Sequence, residues 1–297
     1  MFASLRDYQQ LANYHRLQEH TIATWQTELS SSEPKPVLLL LHGFPSASYD
    51  WHLLWPLLAA HFELHALDFL GFGLSQKPYP HQYSLLEQAD IVTQYCRVKG
   101  INKCHLLAHD YGVSVAQELL HRAHAEQEQR SLEIHSCALL NGGIYAHLHR
   151  PVLLQRLLAS RIGPLLTPWM SASSLARNFT RIFGPDTPPT TQLIDDLWAL
   201  LEYLQGRKVI PGLLSYIQER SVHASSWEQA LYCQQPKLAF INGIHDPISG
   251  QHMLDAFVEH CPNAYSKALN VGHYPQIEAP NQVYSALCEF WAEFLVN

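Results

Sequence analysis

Four short segments carry the residues able to do covalent chemistry, and one of them places an acid where a nucleophilic alcohol usually stands. Ala108-His109-Asp110-Tyr111-Gly112 follows the apolar run Cys104 to Leu107 and leads into a helix-like stretch, Val113 to Leu120. A strand, a tight turn flanked by small residues and a helix make the setting of a nucleophile elbow, usually written G-x-S-x-G. Ala108 replaces the first glycine, Gly112 keeps the second, and Asp110 takes the nucleophile position. A serine there would form an acyl-enzyme from an ester or amide. An aspartate attacks an electrophilic carbon instead and leaves an alkyl ester on the protein. Ser114 is the only serine nearby, and it falls inside the helix rather than on the turn.

Three further segments fit around Asp110. His42-Gly43-Phe44-Pro45 follows a buried-type strand, so the backbone N–H of Phe44, with that of Tyr111, can form an oxyanion hole. A plain strand-end turn would explain the same residues. In Ile241-Asn242-Gly243-Ile244-His245-Asp246-Pro247, Asp246 lies just past a late strand and suits the acid that orients a histidine. An N-cap or Asp-Pro turn is the competing explanation. Asn270-Val271-Gly272-His273-Tyr274-Pro275 puts His273 on a Gly-led loop, where a general base belongs. The order Asp110, Asp246, His273 is nucleophile, acid, histidine, the order of an α/β-hydrolase core. Each segment is weak alone; in order and each at a strand end, they point to one site. Asp68 to Ser75 is glycine-rich but lacks the G-x-G-x-x-G spacing, so it is expected to be a turn shaping the pocket floor.

These residues need a mostly parallel central sheet with helices on both faces, which the alternation of short apolar runs and helical patterns predicts. The strands expected are Val37 to Leu41, Glu63 to Asp68, Cys104 to Ala108, Ser136 to Leu140, Lys237 to Ile241 and Tyr265 to Leu269. Leu85, Ala89, Val92 and Cys96 mark one face of a helix over 84–98, stopped by Gly100. Residues 282–295 give a closing helix, and Tyr14 to Leu29 a flanking hairpin. Between Ile144 and Gln235 the strand rhythm breaks into helices separated by prolines, with a turn at Pro185 to Pro189. The expected organisation is therefore a core of residues 1–143 and 236–297 with a helical cap inserted at 144–235.

The 297 residues are 47% hydrophobic and 15% charged, enough for one large core without disulfides or metals. A net charge of −7 gives no support to nucleic-acid or anionic-membrane binding. Six scattered cysteines lack any C-x-x-C pair and read as mostly buried free thiols of a reducing compartment. Among nineteen histidines, His147 and His149 form a His-x-His pair, but no carboxylate cluster or H-E-x-x-H accompanies them. No metal and no cofactor are expected. Met1 to Asp7 has no signal-peptide core, and no apolar run approaches a membrane span. The expectation is a soluble, cytoplasmic protein of unspecified oligomeric state.

With these motifs in place, the chain resembles the epoxide hydrolase and haloalkane dehalogenase branch of the α/β-hydrolase superfamily, and within it the mesoderm-specific transcript protein family. The likeness runs from about His42 to the C-terminus. It is carried by His42 to Pro45, Ser48-Tyr49-Asp50-Trp51, Leu67 to Gly73, His109 to Gly112 with Ala116-Gln117-Glu118-Leu119-Leu120, Asn141 to Ile144, His149-Arg150-Pro151 and His273 to Gln276. The resemblance implies a cap over the site and a two-step hydrolysis through Asp110. Dehalogenases of this branch usually place a tryptophan after the nucleophile and many carry an asparagine in the oxyanion loop, to bind the halide. Tyr111 and Phe44 stand there instead, leaving only a cap tryptophan, Trp169 or Trp198, as an indole donor. Epoxide hydrolases use two cap tyrosines to protonate the ring oxygen. The segment Leu213 to Arg220 is similar to the one bearing the first, which makes Tyr216 its counterpart, unless it merely packs on a helix. Tyr145 and Tyr203 are the options for the second. The resemblance implies epoxide hydrolysis to a diol, of a small and mainly apolar substrate by water, with dehalogenation as the alternative. A catalytically inactive binding protein on the same fold is the alternative of another class, and a serine esterase would need a serine at the elbow.

Overall fold

The computed structural model describes residues 4–28, 35–125, 132–233 and 235–292. Its centre is an eight-stranded sheet: β1 (Asn13–Leu17), β2 (His20–Gln26), β3 (Val37–Leu41), β4 (Glu63–Leu67), β5 (Lys103–His109), β6 (Glu133–Leu140), β7 (Lys237–Gly243) and β8 (Tyr265–Leu269). The spatial order is β1-β2-β4-β3-β5-β6-β7-β8. The β1–β2 and β2–β4 pairs are antiparallel, and every pair from β4 across to β8 is parallel. All the parallel strands therefore end on one side, where α/β sheets gather their loops and their ligands.

β3 is apolar throughout because both of its faces are covered. Leu39 and Leu41 join a core with Phe69, Tyr95 and Ala116, while Leu38 and Leu40 pack with Trp51, Phe62 and Leu287 on the other side. The alternation is the two-residue period of a strand dividing its side chains between two layers of helix. The layers include α1 (Leu85–Lys99), α2 (Tyr111–Ala125), α6 (Gln251–His260) and α7 (Pro280–Phe290). Ser84 caps α1 by accepting from Leu86 N–H, and Gly100 ends it at φ +70°. The flanking hairpin turns on Gln18 and Glu19, both at positive φ. That is the backbone that matches the twist of a two-residue hairpin. The ends expected for the hairpin and the closing helix, Leu29 and Leu295, lie outside the described residues.

Two boundaries differ from expectation in an informative way. α2 starts at Tyr111 rather than Val113, so Asp110 alone makes the turn between β5 and the helix. α7 begins at Pro280, with proline in the first turn, where its missing N–H costs nothing.

Between β6 and β7 the described residues contain helices and no strand. The main ones are α3 (Ala172–Ile182), α4 (Thr191–Glu202) and α5 (Tyr216–Leu231). The turn Gly184 to Thr187 separates the first two, in the proline-rich stretch expected to do so. Leu175, Phe179 and Ile182, one stripe of α3, pack with Leu193, Ile194 and Leu197 of α4 and against Ile248 and Tyr274 of the strand-end loops. Burying that stripe is what lays the helical lobe over the strand ends.

Candidate active site

Asp110 sits at φ +44°, in the left-handed region that side chains with a Cβ avoid. Such a turn persists only where its surroundings over-determine it. Gly112 shows part of the constraint. A Cβ there would lie 2.3 Å from the Leu41 carbonyl oxygen, so only glycine lets α2 start this close to β3. The Gly112 N–H then donates to His42 O at 2.9 Å, joining the elbow to the loop after β3.

That loop supplies the expected contact. Phe44 N–H donates to Asp110 Oδ2 at 3.0 Å. Tyr111 is the first residue of α2, so no carbonyl four residues back within the helix claims its N–H. The loop is held from both sides: Tyr274 Oη donates to Phe44 O at 3.2 Å, and His42 Nε2 accepts from Phe69 N–H at 3.0 Å. Phe69 and Phe72 lie against the rings of His42 and Tyr111. The glycine-rich turn is thus the floor beneath the elbow, organised by the buried Asp68, which accepts from Tyr8 Oη, Ser48 N–H and Leu74 N–H.

The structure brings His273 and Asp246 to the same place. His273 Nδ1 is 2.7 Å from Asp246 Oδ2, and its Nε2 is 3.9 Å from Asp110 Oδ1. Asp246 accepts four further bonds, from Ile248 N–H, Ser249 N–H, Ser249 Oγ and Asn141 Nδ2. Burial pushes the Asp246 carboxyl up, but the facing His273 and these donors outweigh it and bring it to about 2. Burial pushes His273 down, and Asp246 and Asp110 outweigh that in turn, raising it to about 9. Asp110 follows the same pattern: desolvation is offset by His273, Arg220, His109 and the Phe44 N–H, leaving its carboxyl below the ordinary range. The resting site is therefore a buried set of compensated charges.

Several contributors escaped the sequence reading. Asn141, at the end of β6 with φ +33°, donates to Asp246 and also clasps Gly243 through both its amide atoms. His109 pairs its Nε2 with the His273 carbonyl at 2.8 Å, and burial followed by the neighbouring His273 holds it neutral, near 3. Gly43 leaves room for that ring, since a Cβ would come within 2.5 Å of His109 Nδ1. Most consequential is Arg220, only 2% exposed. Its Nη2 donates to the Asp110 main-chain carbonyl at 3.0 Å, and its Nε donates to Ser114 Oγ at 2.5 Å. Ser114, unsuited to be a nucleophile, serves here as an acceptor. The available signal was the four-residue spacing from Tyr216, which puts Tyr216 and Arg220 on one face of α5.

Tyr216 is buried with its ring against Phe44, Tyr111 and the Arg220 guanidinium. Its hydroxyl has no partner within the described protein. Burial and the nearby Asp110 push that hydroxyl's pKa up, so it is held as a proton-bearing donor. Neither option for a second tyrosine hydrogen bonds to Asp110. Tyr145 packs beside His260, and Tyr203 lies partly exposed with Lys77 over its ring. Trp169 is 84% exposed and Trp198 stacks under Arg207.

A cavity beside the site is lined by Phe44, Pro45, Leu175, Phe179, Leu214 and His273, among other mainly apolar residues, with Gln155, Ser174 and Asn178 as polar exceptions. A larger cleft at the β7–β8 end, near Tyr232, Lys237 and Tyr265, contains none of the reactive groups. His147 and His149 do not converge on a common point: His147 is exposed, while His149 Nδ1 lies 3.4 Å from the cation of Arg220. Among the described residues, His20, His81 and Glu87 form a compact group able to hold a metal, and there both imidazoles pair with Glu87. Of the six cysteines, Cys96, Cys104, Cys137 and Cys261 are buried, Cys288 is half-buried and Cys233 is exposed. No helix among the described residues is long and apolar enough to cross a membrane.

The family model described as alpha/beta hydrolase fold matches residues 36–280, the span that contains Phe44, Asp110, Tyr111, Tyr216, Arg220, Asp246 and His273. The chain belongs to the alpha/beta hydrolase family. This hydrolase is 41% identical over 266 residues to the mesoderm-specific transcript protein of Mus musculus, covering 87% of its own length and 79% of the relative's. Among solved structures it resembles the epoxide hydrolase CorEH, with a TM-score of 0.77 at 19% identity over 95% of this chain and 99% of that one. A haloalkane dehalogenase variant from Bradyrhizobium elkanii fits nearly as well, with a TM-score of 0.75 at 18% identity over 95% and 96% of the two chains. Backbone likeness alone therefore supports the fold of this hydrolase and does not separate the two chemistries.

Proposed function

We propose that this hydrolase opens epoxides to diols through an alkyl ester on Asp110, with residues 144–235 acting as a cap. The observation that carries the reading is the placement of Asp110. Its Oδ2 is held by Phe44 N–H, and its Oδ1 lies 3.9 Å from His273 Nε2. The Tyr216 hydroxyl, its pKa raised by burial and then by the nearby Asp110 charge, has no partner among the described residues. In the first step an Oδ1 lone pair attacks a ring carbon, and the carbon–oxygen bond breaks. The ring oxygen takes the proton of Tyr216, leaving a hydroxyalkyl ester and a tyrosinate.

In the second step His273, once the charge of Asp110 is gone, releases its resting proton to bulk water. The neutral imidazole then takes a proton from the attacking water, and the hydroxide adds to the ester carbonyl carbon. The N–H groups of Phe44 and Tyr111 hold the resulting oxyanion. Collapse expels the diol oxygen, which takes the proton back from His273, and the proton left on the Asp110 carboxyl returns to Tyr216. His273 regains its resting proton from solvent when the Asp110 carboxylate is restored. The charge balance supports this order of events. In the resting site two carboxylates keep His273 protonated, but forming the ester removes the charge of Asp110. His273 then loses one of its two stabilising anions and becomes a better base when a base is needed.

A halide leaving group has less support, because Trp169 is exposed and Tyr111 and Phe44 replace the usual halide donors. The test is intact-mass analysis of His273→Gln mixed with a panel of epoxides and haloalkanes. An adduct with the mass of a whole epoxide, localised to Asp110, is expected. Adducts from haloalkanes alone would reverse the assignment, and unmodified protein that still binds these ligands would point to an inactive binding fold.

A further inference from the structure

Among the described residues, three basic side chains act most on the Asp110 carboxylate, and of these Arg220 comes from the helical lobe. The core contributes His273 and His109. His42, Asp50 and Tyr274 stand further back on the core side, with Tyr216 and His149 on the other. Arg220 alone reaches both the backbone and the charge of the elbow. Its Nη2 donates to Asp110 O at 3.0 Å and lies 3.8 Å from Oδ1, while its Nε holds Ser114, one helical turn along α2. A guanidinium is a rigid planar fork, so binding the carbonyl and the hydroxyl together fixes its plane. The Tyr216 ring covers it at 4.6 Å, and Gly143 leaves the space it needs, since a Cβ there would come 2.5 Å from Nη1.

Seating α5 on the core does not depend on this residue. Glu219 accepts from Ser84 Oγ and Leu85 N–H at 2.8 Å each, and Trp227 Nε1 donates to Glu118 at 2.7 Å. Burying a guanidinium merely to anchor an already anchored helix would be costly, because a buried cation must be compensated. Among the described residues, the only group of opposite charge paired with it is the Asp110 carboxylate.

We infer that Arg220 is a positioning residue for the nucleophile: it locks the left-handed turn at Asp110 through the main chain and supplies, from the lobe, the counter-charge of the carboxylate. The inference rests on Asp110 being the nucleophile. It adds a second consequence of ester formation, since alkylated Asp110 leaves Arg220 uncompensated and hydrolysis restores its partner. The lobe thereby favours completion of the cycle over accumulation of the ester.

The test needs no turnover. The Asp110 carboxyl resonance in ¹³C-aspartate-labelled protein, assigned by its loss in Asp110→Asn, reports the titration midpoint, and amide hydrogen exchange over 108–114 reports the turn. Arg220→Gln is expected to raise the midpoint by about one to three pH units and to speed exchange in the elbow. Arg220→Lys, which keeps the charge and loses the fork, should restore the midpoint while exchange stays fast. Ser114→Ala should speed exchange with little change in midpoint. A midpoint and elbow exchange both unchanged in Arg220→Gln would overturn the inference. Should that variant not fold, unchanged exchange in both Arg220→Lys and Ser114→Ala would overturn it equally. Failure to process any epoxide, by contrast, would count against the proposed reaction and not against this role of Arg220.

Discussion

Asp246, at the strand ends, is held by His273, Asn141, Ser249 and the N–H of Ile248, whereas Tyr216, in the helical lobe, has a hydroxyl with no partner among the described residues. The two sides of the site are built on different physical terms. On the core side, Asn141 and Asp246 leave the adjacent parallel strands β6 and β7, and the amides of Ile248 and Ser249 complete the shell of the Asp246 carboxylate. On the lobe side, helices present apolar stripes, and the Tyr216 hydroxyl among them stays available to a ligand. Under the proposed reaction, charge handling falls to the core, and ring opening and substrate shape to the lobe. Arg220 is the exception that links them, a lobe residue bonded to the core's reactive turn.

That division can be broken at several points. Asp110→Asn is expected to remove turnover altogether, a loss on the order of 10⁴-fold or more, measured as diol release. Activity that survives it would detach the reaction from the elbow. His273→Gln should slow ester hydrolysis by about 10²–10⁴-fold while leaving ester formation intact, so a burst followed by a stable adduct is expected in quenched-flow mass analysis. Tyr216→Phe should slow ester formation by about 10²-fold and leave hydrolysis of the ester unchanged. An equal slowing of both steps would show that the lobe does more than open the ring.

The two steps should also part with pH. Ester formation needs ionised Asp110, whose carboxyl lies below the ordinary range, so its rate should hold until the pH drops through that depressed value. Hydrolysis needs neutral His273, which in the resting site is protonated up to about 9. The ester lowers that value by removing one anion, yet the rate should still fall as the pH is lowered through it. Wild-type protein quenched at acidic pH should therefore carry more ester than at alkaline pH, and the opposite trend would refute the charge argument. The smallest effect expected is that of Trp169→Ala. An indole this exposed should change neither diol nor halide release, and a selective loss of halide release would revive dehalogenation.

Much of this was legible in the residues. The apolar run of β3 is continuous, and those of β5, β6 and β7 nearly so, because the strands are covered on both faces. The elbow follows β5 and Asp246 follows β7, while His273 follows the weaker, half-exposed β8. The boundary at Tyr111 was not legible, because a one-residue turn depends on Asp110 accepting φ +44°, and residue type does not announce that. Nor was Asn141, which reads as an ordinary strand end until β7 is placed beside it. His109 and Gly43 look like neighbours of the chemistry, and only their mutual packing shows that the glycine makes room for the ring.

The order of reactive segments, and the aspartate at the elbow, are local properties of the chain, and they determined a covalent alkyl-ester route as the expectation. Strand propensity and turn chemistry act over a few residues, so they can be read without knowing what lies opposite. The compensation of charge around Asp110 is not local. It depends on Arg220, more than a hundred positions along the chain, arriving from a helix whose own sequence drew notice to Tyr216 and gave Arg220 no partner. Electrostatic partnership in a buried site depends on distance through space, and only the tertiary structure decided which cation that carboxylate would meet.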